Sequence, residues 1–476
     1  MLLERFYDDK LAQASYLIGC QATGEAIVVD PNRDIEQYLD AAGREGLAIT
    51  HVTETHIHAD FVSGSRELAE RTGAALLLSA EGGSDWQYAF AVQAGASLLE
   101  DGDDFSVGNI RFEARHTPGH TPEHLALLVT DTAATDIPMG AFTGDFLFVG
   151  DVGRPDLLER AAKVADTMEA AARDLFRSLQ RFASLPDHLQ IWPAHGAGSA
   201  CGKALGAVPS STLGYERVAN WAFNVKDEDR FVELVLEGQP EPPRYFAEMK
   251  RVNRDGPRIL HGLPRPERIE SHRLDDLLRQ HAIVVDTRHS ADFAEGHVPG
   301  TINIPLNRSF TTWAGWLIPF DRDCYLITGH ADDALEAARD LAMIGLDRVA
   351  GFFGDDVVEA WRRAHGPLAT TAQVSADELD LPPDNGVALV DVRDPGEWEA
   401  GHIPGVANIP LGYLTDRLDE LPRDGRLVLH CQGGGRSAIG ASLLQAHGFR
   451  NVSNLVGGFD AWARAGRPVA RDASRA

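Results

Sequence analysis

Short apolar runs alternate with amphipathic stretches over residues 1–235. AIVVDP (residues 26–31) is typical of a buried strand that ends in a turn, and ALLLS (75–79) and LALLV (125–129) indicate further strands. SRELAERTG (65–73) has the spacing of a helix that ends at a glycine. This alternation predicts an α/β domain.

The following segment, residues 236–265, is rich in proline and charge. Its prolines interrupt any long helix or strand. We interpret it as a linker that is partly packed.

The rest of the chain contains one pattern twice. VVDTRHSADFAEGHVPGTINIPL begins at Val284 and LVDVRDPGEWEAGHIPGVANIPL begins at Leu389. Two segments this similar, about one small domain apart, are an internal repeat. In each copy a buried strand precedes D-x-R and helical stretches follow it, which predicts two doubly wound domains with parallel sheets, at residues 266–368 and 372–476.

Charge and cysteine content narrow the class of protein. The formal net charge of -27 disfavours contact with nucleic acid or an anionic membrane surface. The four cysteines are far apart and form no C-x-x-C pair, so neither a zinc ribbon nor a disulfide framework is indicated. The N-terminal residues lack the features of a signal peptide, and no apolar run is long enough for a membrane span. A reducing cytoplasm is the expected location.

The first domain contains several potential metal ligands, each predicted to lie at the end of a strand. They occur in TETHIHADF (His56, His58, Asp60), TPGHT (His120), TGD (Asp145) and PAHG (His195). A single histidine is more often structural than a ligand, but this combination is hard to explain by packing alone. The pattern predicts a metal site.

These motifs resemble, in order and spacing, the metallo-β-lactamase superfamily, and within it the branch of glyoxalase II and the persulfide dioxygenases. The resemblance covers residues 1–235 and implies an αβ/βα sandwich with the metal at the strand ends. Its hydrolases hold two metals with H-x-H-x-D-H, whereas here the last position is Phe61, which cannot ligate. The similar dioxygenases imply one Fe(II) per chain, held by His56, His120 and Asp145. Two imidazoles and one carboxylate form the ligand set of non-haem iron oxygenases.

The remaining polar residues of this region have open roles. His58, Asp60 and His195 either support the iron ligands through hydrogen bonds or are leftover superfamily residues. Arg154, in DVGRPD, matches an arginine near the substrate pocket of the similar family and either receives a carboxylate of a thiol carrier or forms a surface ion pair. Cys201 either takes part in sulfur relay or substrate contact, or packs a tight loop.

The second repeat continues with LVLHCQGGGRSAIGASLLQAHGF, a strand that leads to Cys431, a glycine-rich loop, Arg436 and a helix. Backbone N–H groups of such a loop and helix start favour an anionic sulfur. The loop, C-x4-R, is shorter than the C-x5-R phosphate loop of cysteine phosphatases, which favours sulfur transfer. Residues 372–470 closely resemble rhodanese sulfurtransferases, which implies that Cys431 is the nucleophile and that Arg436 belongs to its site.

The first repeat lacks this nucleophile. Aligned on the following helix, Thr328 takes the position of the cysteine, and Asp332 and Asp333 would repel a persulfide anion. Cys324 lies within the predicted strand and is interpreted as a core residue. We expect an inactive rhodanese fold that spaces, dimerises or docks the other domains.

The domain order resembles bacterial fusions of a persulfide dioxygenase with a sulfurtransferase. This implies oxidation of low-molecular-weight persulfides by O2 to sulfite, and transfer of sulfane sulfur on Cys431 between persulfide, sulfite and thiosulfate, as in sulfide detoxification. The carrier thiol stays open between glutathione, coenzyme A, bacillithiol and others. We expect a homo-oligomer, either a dimer or a tetramer. Two rivals are a zinc-dependent glyoxalase II-like thioester hydrolase fused to a sulfurtransferase, and a sulfur-carrier or docking protein that does not oxidise.

Overall fold

The alternation of strands and helices predicted for the first half of the chain is present in the structure. The structure is a computed structural model, and it describes residues 1–157, 167–203, 205–239, 241–379 and 387–471. The chain divides into two units, one formed by Met1–Leu263 with Ala342–Gly345 and the other by Pro264–Leu341 with Leu346–Ala476. Among the described residues, no helix is both long and apolar enough to cross a membrane.

Two six-stranded sheets form the first unit. The first sheet has the order β1 to β6, with β1 (Leu2–Asp8), β2 (Gln13–Cys20), β3 (Glu25–Val29), β4 (Ala48–Thr53), β5 (Ala75–Ser79) and β6 (Ser97–Leu99). The second has the order β12 to β7, with β7 (Asp104–Val107), β8 (Ile110–His116), β9 (Leu125–Asp131), β10 (Gly140–Gly144), β11 (Gln190–Pro193) and β12 (Ser211–Thr212). The described helices are α1 (Glu36–Arg44), α2 (Ser65–Thr72), α3 (Ala91–Ala94), α4 (Met168–Phe182), α5 (Leu213–Ala219), α6 (Trp221–Asn224), α7 (Glu228–Leu236) and α8 (Tyr245–Asp255).

Successive residues of the strands point into different layers of this unit. Ile18 of β2 packs with Phe112 of β8 in a core between the two sheets. Its neighbour Leu17 packs with Tyr38 of α1 on the outer face of the first sheet. A third core lies between the second sheet and α4. The predicted αβ/βα sandwich is confirmed.

Two local predictions can be compared directly with these elements. AIVVDP overlaps β3, which begins one residue earlier, and SRELAERTG forms α2, which is followed by Gly73 in the left-handed conformation with φ 72°. The segment that we interpreted as a linker differs from expectation, because it contains α8, whose Phe246 and Met249 are buried. The prolines stop the neighbouring elements but leave room for eleven residues of helix.

The second unit contains two parallel sheets, one for each repeat. The first has the order β14-β13-β15-β16, with β13 (Ile283–Asp286), β14 (Ile302–Asn303), β15 (Cys324–Thr328) and β16 (Val349–Gly354). The second has the order β17-β21-β20-β18-β19, with β17 (Ala372–Val374), β18 (Val387–Asp391), β19 (Ala407–Asn408), β20 (Arg426–His430) and β21 (Val452–Leu455). The helices are α9 (Arg273–Arg279), α10 (Ser290–Glu295), α11 (Phe310–Leu317), α12 (Ala331–Met343), α13 (Asp356–His365), α14 (Pro395–Ala400), α15 (Gly435–Ala446) and α16 (Gly458–Arg464). The predicted parallel sheets are confirmed.

The D-x-R motif builds the same hydrogen-bonded frame in both repeats. In each copy the arginine donates to both carboxylate oxygens of the aspartate and to a backbone carbonyl eight residues further along. The three partners are Asp286, Arg288 and Gly296 in the first repeat, and Asp391, Arg393 and Gly401 in the second. The frame fixes the chain between the first strand and the G-H-[VI]-P-G turn.

Candidate metal centre and sulfur-transfer site

Three of the sequence-predicted ligands meet at one edge of the sandwich. His56 follows β4, His120 lies in the turn between β8 and β9, and Asp145 directly follows β10. Their ligand atoms all lie within 4.8 Å of one another, and all three side chains are buried. The fold therefore assembles the predicted set from three separate segments.

Hydrogen bonds fix both imidazoles with the same ring nitrogen turned inward. Nδ1 of His120 donates to the backbone carbonyl of Arg154 at 3.1 Å. Nδ1 of His56 donates to the hydroxyl of Thr55 at 3.0 Å, and that hydroxyl donates to Asp30 at 2.9 Å. This leaves the Nε2 lone pair of each ring for a ligand, the arrangement that metal-binding histidines adopt.

The inward-facing nitrogens meet a carboxylate oxygen that lacks a hydrogen-bond partner. Asp145 Oδ2 lies 3.9 Å from His56 Nε2 and 3.4 Å from His120 Nε2. It is buried, and no described residue gives it a hydrogen bond. Burial lowers the pKa of both histidines, and neighbouring imidazoles lower that of His56 further, so both rings are neutral. Two neutral imidazoles and one unpartnered carboxylate oxygen fit a divalent metal ion.

His195 lies between two carboxylates beside this set. Its Nδ1 donates to Asp145 Oδ1 at 2.6 Å and its Nε2 donates to Asp60 Oδ2 at 2.7 Å. Burial alone would lower the pKa of His195, but these two carboxylates raise it well above the usual range. His195 is thus a doubly hydrogen-bonded cation that orients Asp145.

His58 points toward Asp30 instead of joining the three-residue set. Its Nε2 donates to Asp30 Oδ1 at 3.1 Å, and its ring packs on Phe61 with centroids 4.4 Å apart. Burial alone would lower the pKa of His58, but Asp30 raises it. The Phe61 ring is fully buried and offers no ligand atom at the position where the hydrolase motif has histidine.

A second group of potential ligand atoms lies next to the first. Asp60, His195 and Cys201 bring one ligand atom each within 4.8 Å of one another. Burial and the charges of Asp60 and Asp145 raise the pKa of the Cys201 thiol well above its usual value. Cys201 is therefore a protonated thiol at the metal edge of the fold.

Arg154 is fully buried and its guanidinium is already occupied. Nε and Nη2 donate to the two oxygens of Asp156 at 2.8 and 2.7 Å, and Nη1 donates to the carbonyl of Ala200 at 3.1 Å. These contacts fix the carbonyl that accepts from His120. The geometry differs from a surface ion pair and supports a positioning role for Arg154 over direct contact with a carrier carboxylate.

Helix α8 supplies a clamp that sequence reasoning missed. The Asn253 side chain donates to the carbonyls of His58 and Phe61 at 2.8 and 2.7 Å. Its oxygen accepts from the backbone N–H of Ser63 at 2.9 Å. All three bonds hold the loop that contains Asp60. This loop lies about 190 residues before Asn253 in the sequence.

His124 and Asp30 also hold the metal edge. His124 Nε2 accepts from the backbone N–H of Asp145 at 3.1 Å, and its Nδ1 donates to Thr117 at 2.8 Å. Asp30, directly after β3, accepts from the backbone N–H of Thr55 at 2.6 Å. Two features of the sequence could have indicated these residues: His124 is a second histidine four residues after His120, and Asp30 is a carboxylate at the end of a strand.

A narrow pocket adjoins the metal ligands. It is lined by His120 together with apolar residues and by the half-buried Lys250 of α8. The Lys250 Nζ lies 3.4 Å from the centroid of the Trp86 ring, and no described carboxylate lies within ion-pair distance of it. Burial lowers the pKa of Lys250 to about 8. The pocket thus offers one cation in mostly apolar walls.

The segment around Cys431 has the predicted order of strand, cysteine, glycine-rich loop and helix. Cys431 follows β20 and is 2% exposed, and its Sγ accepts from the backbone N–H of Gly434 at 3.1 Å. Arg436 forms two hydrogen bonds with Glu397 of α14, at 2.6 and 2.7 Å. Arg393 of the D-x-R frame donates to Gln432, so the frame also supports the loop.

The strand register supports the alignment that puts threonine at the cysteine position of the first repeat. Asp391 pairs with His430 in the second repeat, and Asp286 pairs with Ile327 in the first, so Thr328 matches Cys431. The Thr328 hydroxyl donates to the carbonyl of His330 at 2.9 Å. Cys324 opens β15, and burial raises its pKa to about 12, as expected for a core thiol.

Comparison with protein families finds two matches along the chain. The metallo-beta-lactamase superfamily matches residues 8–195. The rhodanese-like domain matches residues 270–354 and 375–465. The two matches agree with the sandwich and with the two parallel sheets.

Relatives extend this similarity. A metallo-beta-lactamase structure from Staphylococcus aureus subsp. aureus COL is 41% identical, with a TM-score of 0.67, over 74% of this chain and 99% of that one. The mitochondrial persulfide dioxygenase ETHE1 of Bos taurus is 29% identical over 41% of this chain and 68% of its own length. A beta-lactamase hydrolase-like protein of Xylella fastidiosa is 27% identical over 55% of this chain. The chain spans 61% of the length of that relative.

Proposed function

Because the chain belongs to the metallo-beta-lactamase superfamily and carries two rhodanese-like domains, we propose that it is a non-haem iron persulfide dioxygenase coupled to sulfane-sulfur transfer. The observation that carries the proposal is the set of His56, His120 and Asp145, with an unpartnered carboxylate oxygen facing two Nε2 atoms. The similarity to a persulfide dioxygenase supports the choice of substrate.

In the proposed reaction, R–S–SH, O2 and water give R–SH, sulfite and two protons. The S–S bond breaks, the terminal sulfur is oxidised and O2 is reduced. When bound, one ferrous ion would supply open coordination positions for O2 and for the persulfide sulfur. His195 holds protons between Asp60 and Asp145, beside the place where the protons are released.

We propose that the pocket beside His120 receives the terminal sulfur of the persulfide, because its volume of about 20 Å³ has room for one such atom and not for the organic group. A persulfide is anionic and the chain has a formal net charge of -27, so a nearby cation matters for its binding. Lys250 is that cation, and the apolar walls around it strengthen its attraction for an anion.

The sulfur-transfer step is assigned to Cys431. Its thiolate attacks the sulfane sulfur of R–S–SH, a new S–S bond forms on Cys431, and R–S⁻ leaves. Sulfite then takes the terminal sulfur as thiosulfate and regenerates the thiolate. The N–H of Gly434 supports the anionic sulfur, and Arg436 holds α14 against the loop.

The deciding experiment measures metal content and O2 uptake together. The purified chain, loaded anaerobically, should contain about one iron and consume O2 on addition of glutathione persulfide. His56→Ala should lose both iron and O2 uptake but keep the transfer of sulfur from thiosulfate to cyanide. Iron-independent O2 uptake, or loss of both activities in a folded variant, would contradict the proposal.

A zinc-dependent thioester hydrolase is the second candidate, and one observation favours it. Asp60, His195 and Cys201 could together hold a second metal. Against it, both ring nitrogens of His195 are hydrogen-bonded to carboxylates, and Phe61 removes the usual histidine. Two zinc ions per chain and hydrolysis of S-lactoylglutathione would establish this candidate instead.

A further inference from the structure

A cleft opens in front of the catalytic loop of the second repeat, and the first repeat forms much of its wall. Gly434, Gly435 and Arg436 line one side. His289, Asn307, Ser309 and Trp313 of the first repeat line the other. The cavity has a volume of about 340 Å³, which lies within the range of small-molecule sites.

The wall is fixed in place by contacts between the repeats, which belong to the same unit. The backbone N–H of Asn303 in β14 donates to Ser442 of α15 at 2.9 Å. Trp316 of α11 packs edge-on against Tyr413 with ring centroids 5.4 Å apart. A side chain at Gly412 would overlap the Trp316 ring, so glycine permits this close approach. Helix α15, which begins at the catalytic loop, is therefore attached to the edge strand of the first repeat.

The lining combines polar and apolar groups, with one aromatic platform. The amide oxygen of Asn307 accepts from the backbone N–H and the hydroxyl of Ser309 at 2.8 and 2.9 Å, which leaves the amide NH2 of Asn307 for a ligand. Trp313 is half-buried and lines the same cleft. The guanidinium of Arg436 is already paired with Glu397. An inorganic dianion such as thiosulfate needs neither this volume nor this lining, whereas an organic thiol with amide groups can use both.

We propose that the first repeat, which has no nucleophile, is the recognition wall for the organic part of a low-molecular-weight thiol persulfide that exchanges sulfur with Cys431. The inference rests on the proposed sulfur transfer and adds the part of the chain that recognises the organic group of the donor. The carrier occupies the cleft while its sulfane sulfur reaches the buried Sγ. The thiol R–S⁻ then departs through the same cleft.

The test compares an organic donor with an inorganic one on the full chain. Under anaerobic conditions, which prevent oxidation of the donor, one assay follows thiosulfate formation from glutathione persulfide and sulfite. The other follows thiocyanate formation from thiosulfate and cyanide. Trp313→Ala should raise the KM for glutathione persulfide about tenfold, equal to about 1.4 kcal/mol of binding, and leave the inorganic assay within about twofold of wild type.

Trp361→Ala is the matched control, because Trp361 is a half-buried tryptophan of the same repeat outside the cleft. It should change neither assay. Asn307→Ala is a second cleft variant, at an exposed position; it removes the amide without adding charge, so it should raise the KM for glutathione persulfide and spare the inorganic assay. If the cleft variants lost equal activity with both donors, or changed with neither, the proposal that the first repeat is the recognition wall would be refuted. Absence of both activities in the wild-type chain would instead refute the proposed sulfur transfer.

Discussion

Asn253→Ala tests whether α8 holds the metal edge. The substitution removes one buried side chain that bonds three backbone groups, the carbonyls of His58 and Phe61 and the N–H of Ser63. Asn253 is 1% exposed, so water has little access to the groups left behind. A buried polar group without a partner costs about 1–3 kcal/mol.

Three such groups put the loss of unfolding free energy at about 3 kcal/mol or more. For a domain of this size, 1 kcal/mol shifts Tm by roughly 2–4 °C, so the transition of the first unit should fall by roughly 6–12 °C. Loosening the loop of Asp60 should also weaken metal binding about 10- to 100-fold, as loss of a supporting contact does at other metal sites.

Differential scanning calorimetry of the full chain measures the shift, and a competitive chelator titration measures metal affinity. Asn224→Ala is the control, since this exposed asparagine of α6 bonds only the carbonyls of Val218 and Asn220 near the surface. A Tm within about 2 °C of wild type, with metal affinity retained, would refute the argument that α8 holds the site.

Three further predictions address the two sites. Phe61→His should raise occupancy by a second metal, most readily zinc, and reduce O2 uptake; elemental analysis that still gives one metal would mean that Phe61 does not decide the stoichiometry. Cys431→Ser should abolish sulfur transfer and shift the product from thiosulfate toward sulfite while O2 uptake persists, whereas Cys324→Ser should spare both; mass spectrometry that finds the added sulfur on Cys324 would reverse the assignment. Lys250 is charged below its pKa of about 8 and neutral above it, so the KM for an anionic persulfide should rise as pH passes about 8. Lys250→Met should show the higher KM throughout and no such rise, and an unchanged pH profile would contradict the role of Lys250.

The parts of the fold that could be predicted are those that depend on local sequence patterns. β3 and α2 follow from apolar spacing and a terminal glycine, and the repeated D-x-R frame follows from direct comparison of the two copies. The choice of Thr328 as the cysteine equivalent needed only alignment on the following helix, and the strand register agrees with it.

The contacts that could not be predicted join segments far apart in sequence. Asn253 and Lys250 lie in a stretch whose prolines suggested a linker, and nothing local indicates that this helix returns to the metal edge. For Arg154 the motif leaves open a substrate contact or a surface ion pair, and the direction of its side chain depends on Asp156 and on the loop of Ala200. The sequence indicates which residues can bind a metal. The contacts that hold those ligands in place depend on how distant segments of the chain pack together.

The shared hydrogen-bonded frame of the repeats has a consequence for gene duplication. The copy that lacks a nucleophile retains every bond of the frame, and its Asn303 donates to two carbonyls as Asn408 does in the other copy. Selection on folding can preserve such a frame after duplication, because its loss would leave the buried aspartate without its hydrogen-bond partner. The D-x-R frame, which is the most recognisable motif of this domain type, therefore indicates common ancestry and the ability to fold. Under the proposed function, activity depends instead on the short loop after the strand that leads to Cys431 or Thr328, and this loop can change in one copy while the other supplies the nucleophile.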